Sequence, residues 1–141
     1  MEMFELSDLS VGMAISNSVV FDEFSLQNFK RISSDYANVH CDESFAKDLG
    51  YSSKLVHGLL VQMPISSLVG MQLPGPNSVL VEITSKFHSP TYVSDEVFYS
   101  VLITKIMDAQ RLVQLRFEGK VEDRLVISGN VTTVFPRKLP T

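Results

Sequence analysis

The chain has 141 residues, 45% of them hydrophobic and 20% charged, which suits one domain with one core and leaves apolar surface over for self-association. Its net charge of −4, with no basic block, argues against a nucleic-acid or anionic-membrane surface, whereas a few local Lys or Arg would suffice for a phosphorylated substrate. A single cysteine, Cys41, cannot form an intrachain disulfide and points to a reducing cytoplasm, and the opening MEMFELSDL lacks the basic and apolar regions of a signal peptide.

No repeat, low-complexity tract or linker interrupts residues 1–141, so they read as one domain. The residues up to Met13–Phe21 mix apolar and small polar side chains and read as one or two strands. Ser25 is placed to cap a helix carrying Leu26, Phe29 and Ile32 on one face, which fades near Asp35. After a polar loop, Asp42 caps a short helix, Glu43 to Leu49, and Gly50 suits the position that ends it. A longer apolar helix is predicted from His57 to Gln72, bent at Pro64 and apolar around most of its circumference, hence enclosed by protein. Residues 55–81 contain no Asp, Glu, Lys or Arg, but their polar residues and prolines make them a buried segment and not a membrane span.

Beyond the breaker Pro74-Gly75-Pro76-Asn77 the period changes to two. Val79/Val81/Ile83, Val97/Tyr99/Val101/Ile103, Val113/Leu115/Phe117 and the run from Leu125 to Phe135 predict four strands. The simplest arrangement is an antiparallel meander with turns near Ser89-Pro90, Asp108-Ala109 and Glu122-Asp123. A central apolar helix followed by such a meander predicts an α+β fold, a sheet wrapped around a helix.

Two places can carry chemistry. Ser33-Ser34-Asp35-Tyr36-Ala37-Asn38-Val39-His40-Cys41-Asp42 sets an acid and a His on one loop, where they can meet at a single water for acid–base work. The same residues also fit a solvated loop in which Asp35 ends one helix and Asp42 caps the next. Val56-His57-Gly58-Leu59 opens the long helix, where free backbone N–H groups suit a developing oxyanion and Gly58 allows close approach. Its alternative is a buried or capping His57 with Gly58 as a packing contact. His40, Cys41, Asp42, His57 and His88 show no metal-ligand spacing, so no metal is expected, and Cys41 reads as a buried, inert thiol.

Together these residues resemble the R-specific (MaoC-like) enoyl-CoA hydratases, whose pattern is close to Ser-Gly-Asp-x-Asn-Pro-x-His-x-Asp followed by Ile/Val-x-His-Gly. Gly70-Met71-Gln72-Leu73-Pro74-Gly75 looks like that family's helix-ending segment. Phe87-His88-Ser89-Pro90 with Val93-Ser94-Asp95-Glu96-Val97 looks like its Phe-x-x-Pro…Val-x-Gly-Asp-x-Val strand pair. The resemblance spans roughly residues 24–101 and implies a hotdog fold. It also implies hydration of a trans-2-enoyl thioester, or the reverse dehydration, with coenzyme A or acyl carrier protein as the carrier and no metal or redox cofactor. Asp35 and His40 match the dyad that activates water, and Gly58 the backbone donor to the thioester carbonyl; Asn38, His57 and Met63 fall where substrate is bound. The resemblance further implies a homodimer or larger even-numbered oligomer.

There are departures. The family's Asn-Pro is Ala37-Asn38, Ser94 replaces a Gly, and Gln62-Met63 stands where relatives often have a small Ser, so Met63 is expected to crowd the acyl tunnel. An acyl thioesterase and a non-catalytic acyl-binding hotdog subunit are the alternatives.

Overall fold

A computed structural model describes residues 3–137. A one-turn 3-10 segment (Leu6–Asp8) precedes strand β1 (Ala14–Val20), and helix α1 spans Glu23–Ser33. The cap of α1 is Asp22 and not Ser25: the Asp22 carboxylate accepts from the Ser25 N–H and hydroxyl, each at 2.8 Å. The carboxylate therefore takes the N3 amide that a Ser cap at 25 would have left free, and the helix starts earlier. Leu26 and Lys30 are its buried residues, while Ile32 is 82% exposed. Steps of three fall short of a full turn, so Ile32 drifts off the face of Leu26, whereas Lys30 at i+4 stays on it.

Ser34, at φ 60, ends α1 in the left-handed region. A single turn, α2 (Asn38–Cys41), follows and has no counterpart in the expected elements. Helix α3 (Glu43–Asp48) is capped by Asp42, which accepts from the Phe45 N–H at 3.0 Å, and Gly50 turns the chain at φ 91.

The long helix is two pieces, α4 (Gly58–Gln62) and α5 (Pro64–Met71), with Met63 helical between them. Pro64 has no N–H to continue the ladder and instead opens the second piece. Their buried residues, Leu60, Val61, Ile65, Leu68 and Val69, face the sheet. Leu59 is 61% exposed, and Met63 and Met71 are half-exposed. Enclosure is thus one-sided within a single chain, because one sheet covers only one side of a helix.

The sheet has five strands in the order β1-β3-β4-β5-β2, with β2 (Val79–Phe87), β3 (Glu96–Met107), β4 (Leu112–Val121) and β5 (Arg124–Val134), every pair antiparallel. Only β3–β4–β5 is a meander. The expected β2–β3 pairing is replaced by β2 on β5, since the 88–95 connection carries the chain across to the other side of the sheet. Period-two patterning sets which face of a strand is buried and is silent on which strand is its neighbour. In that connection Ser94 sits at φ 75, the conformation for which Gly is the natural residue.

Val97, Tyr99, Val101, Ile103, Val113, Leu115 and Phe117 line the inner face and form one buried cluster with α4 and α5. The Tyr99 hydroxyl donates to the Val61 carbonyl at 2.6 Å and pins α4 to β3. Burial raises the Tyr99 pKa, so this donor stays protonated. This is the hotdog layout. Among the described residues, no helix is long and apolar enough to cross a membrane.

Candidate active site

Asp35 lies just past the left-handed end of α1. Its N–H donates to Ser33 Oγ and its carboxylate accepts from the Ala37 N–H, both at 3.1 Å, so the loop is braced locally while the carboxylate remains exposed. α2 then presents His40. The Nδ1 of His40 is 2.8 Å from the Leu55 carbonyl. A carbonyl oxygen only accepts, so Nδ1 carries the proton and, in the neutral ring, Nε2 holds a free lone pair.

Leu55 is itself clamped. Its N–H donates to Val39, it bridges Tyr92, and the Val56 N–H donates to Thr91. These contacts bring the start of α4 under α2. The His57 ring stacks on His40 with centroids 3.8 Å apart and planes 23° apart, and the Phe29 ring lies 4.7 Å from it on α1. Its Nε2 donates to the Asp35 carbonyl at 3.1 Å. The Asp35 carboxylate and a ring nitrogen from each of His40 and His57 lie within 4.8 Å of one another. One water hydrogen-bonded to two partners spans about that distance. The loop is therefore more than two helix caps, because Asp35 and His40 converge.

Each imidazole commits one nitrogen to a backbone carbonyl, which leaves one nitrogen on each ring unbound.

Two cavities meet here. One of about 310 Å³ is lined by Tyr51, Leu55, His88, Pro90, Val126 and others; a second of about 340 Å³ is lined by Phe29, Ser33, Asp35, His57 and Leu59. His40, Gly58 and Phe87 belong to both walls. Gly58 is the first residue of α4, so its N–H has no helical partner. A Cβ on Gly58 would sit 3.1–3.4 Å from the Phe87 ring. Gly58→Ala is therefore expected to push that ring into the shared opening and lower kcat/KM on the order of 10- to 10²-fold with little change in Tm. Steady-state kinetics beside thermal unfolding would check this, and unchanged kinetics would make Gly58 a packing contact.

His57 is 2% exposed and lies beneath His40, at the wall of the second cavity. Two expected site residues lie elsewhere. Met63 lines a separate cavity of about 240 Å³ with Ile65, Val69, Leu80 and Ile83, away from the dyad, because five residues along a helix set it about 140° round from Gly58. Asn38 opens α2 and is exposed, outside the walls of both dyad cavities. Cys41 is exposed and not buried, its Sγ 3.9 Å from the Lys30 ammonium, since the one-turn α2 places it on the outer side. Phe87 also lines both cavities, and its only signal in the sequence is the Phe-x-x-Pro segment.

Burial lowers the pKa of His57 below its usual 6.5. The folded state thus binds a proton at His57 less readily than the unfolded chain does. That stability is present above about pH 6.5 and is lost as pH falls through the depressed folded value. Urea unfolding should show stability declining on acidification through this window, with a flatter dependence for His57→Phe. Parallel curves would place the proton uptake elsewhere.

An antiparallel sheet around an apolar helix, with an acid–imidazole pair at the start of that helix, defines a hotdog protein with an acid–base site. Residues 10–123 match the family described as the MaoC like domain, and the chain belongs to it. It is 28% identical over 131 residues to the (R)-specific enoyl-CoA hydratase of Rhodospirillum rubrum, covering 93% of this chain and 91% of that one. A 3-hydroxybutyryl-CoA dehydratase of Methylorubrum extorquens is 28% identical over 131 residues, 93% of this chain and 83% of the relative. Among solved structures, the (R)-hydratase from A. caviae involved in PHA biosynthesis superposes with a TM-score of 0.86 at 28% identity, covering 91% of this chain and 98% of that one.

Proposed function

We propose that the chain is a lyase that adds water across the double bond of a trans-2-enoyl thioester to give the (R)-3-hydroxyacyl thioester, and catalyses the reverse dehydration. The observation that carries this reading is the convergence of the Asp35 carboxylate and a ring nitrogen of His40 at an opening walled by Gly58. In hydration, a water held between Asp35 and His40 loses a proton to the dyad as its oxygen bonds to C3. Negative charge moves onto the thioester oxygen, where the Gly58 N–H donates to it. The dyad then returns a proton to C2, so water is added and no redox equivalent or metal is needed. The acyl chain and the carrier arm enter by the two cavities that meet at His40. Coenzyme A is the carrier named for both relatives above, and it is the carrier we assign.

The test is incubation with a short series of enoyl-CoA and enoyl-acyl-carrier-protein thioesters, following enoyl absorbance and free thiol together. Loss of absorbance without thiol is expected. Thiol release would mean hydrolysis, and binding without either change would mean a non-catalytic subunit.

We also propose a homodimer in the cytoplasm, where an exposed Cys41 stays reduced. β2 is an edge strand of nine residues with Val79, Leu80, Val81 and Phe87 all exposed, and a long apolar edge invites pairing with a second copy. Sedimentation at micromolar concentration should give twice the chain mass; a stable monomer would count against it.

A further inference from the structure

His57 is almost fully buried at the wall of the second cavity, yet it carries an unmet polar atom. Its Nε2–H is committed to the Asp35 carbonyl, which leaves Nδ1 unprotonated, inaccessible to water and without a hydrogen-bond partner among the described residues. An apolar ring would fill the same space without that cost, so packing alone does not account for an imidazole here. Its three contacts do. The Nε2–H fixes the main chain of Asp35, the ring face supports the ring of His40, and the residue itself is the N-cap of α4, directly before Gly58.

We infer that His57 is a positioning residue of the hydration reaction: locked as the neutral Nε2–H tautomer, it holds Asp35, His40 and the Gly58 N–H in one fixed arrangement without touching substrate. The inference rests on the hydratase reading above. The ring must stay neutral for this. The groups facing it are Lys30 from α1, His40 from α2 and Asp35 from the loop between those helices. Two of those three are cationic or become so during turnover, and an imidazolium 3.8 Å beneath a protonated His40 would repel it. Burial acts in the same direction, disfavouring the charged form.

The two parts of the role separate by substitution. His57→Gln keeps an N–H near the place of Nε2 but has no ring to stack; His57→Phe keeps the ring but has no donor; His57→Ala has neither. With fold checked by circular dichroism, kcat is expected to fall on the order of 10²-fold in His57→Ala. His57→Gln and His57→Phe should each recover part of that loss, and KM should stay close to wild type throughout. In the wild-type protein, nitrogen NMR should show His57 as the neutral Nε2–H tautomer at pH 7, with its titration below the usual imidazole value of 6.5.

An active wild type whose His57 titrates at or above 6.5, or is protonated only at Nδ1, overturns the inference. So does a folded His57→Ala with wild-type kcat. If His57→Ala does not fold, wild-type kcat in both Gln and Phe variants overturns it instead. Wild-type protein that hydrates no enoyl thioester overturns the functional reading, whatever the tautomer.

Discussion

Asp35→Asn and His40→Gln are each expected to lose at least about 10²-fold in turnover, in hydration and dehydration alike, because a positioned proton-transfer group contributes about 10²- to 10⁴-fold. Asn keeps the size of Asp35 and can still accept from the Ala37 N–H, so it removes the charge and little else. His40→Gln loses the Nε2 lone pair that the bond from Nδ1 to the Leu55 carbonyl leaves free. Asp35 is exposed, and His40 gives up one neutral hydrogen bond, so stability should change by only about 1 kcal/mol. Since the two groups act on one water, the double variant should be little slower than the slower single one. Asp42→Asn and Cys41→Ser should keep most activity: Asn caps α3 as well as Asp, and Cys41 lies outside both cavity walls. Near-wild-type rates in both folded dyad variants would remove the basis for a hydratase and favour an acyl-binding subunit.

Gly129→Ala is expected to destabilise the protein by about 3 kcal/mol or more, at the upper end of overpacking changes. A Cβ at that position would lie 1.9 Å from the Thr84 carbonyl oxygen and 2.7–2.8 Å from the Phe117 ring. Gly129 pairs with Ser85 on β2 and with Phe117 on β4, so the strand is held on both sides. Phe117 is fully buried, and a backbone oxygen has no rotamer by which to retreat. The methyl therefore fits only if β2 parts from β5, which would also move Phe87 at the end of β2 and the opening it shares with Gly58. Gly70→Ala is the matched control. It lies in α5 with open space where its Cβ would go, and should stabilise the protein by up to about 1 kcal/mol through helix propensity. Urea midpoints for the two variants should move in opposite directions. An unshifted midpoint for Gly129→Ala would show that β2 and β5 separate freely at this point.

By itself the sequence determined what depends on neighbours along the chain. Asp42 ahead of Glu43 and Gly50 after Leu49 mark the ends of α3 because a cap and a left-handed turn are satisfied within a few residues. Alternation in β3 and β4 predicts the buried set Val97, Tyr99, Val101, Ile103, Val113, Leu115 and Phe117, because a strand's faces follow from a period of two. Asp35 and His40 were legible as a pair because they stand five positions apart in one polar segment. What only the tertiary structure decided involves groups far apart in sequence. The pairing of β2 with β5, and not β3, is a contact across some 40 residues that no local period encodes. His57 reads as a substrate contact in the motif, and only the fold places it beneath His40 with a bond to the Asp35 carbonyl, 22 residues away. Met63 shares a helical run with Gly58, but it stands on another side of that helix and faces another cavity. Phe87 joins the site only because the sheet carries the end of β2 over the start of α4, a placement set by packing between elements and not by any residue's own preference.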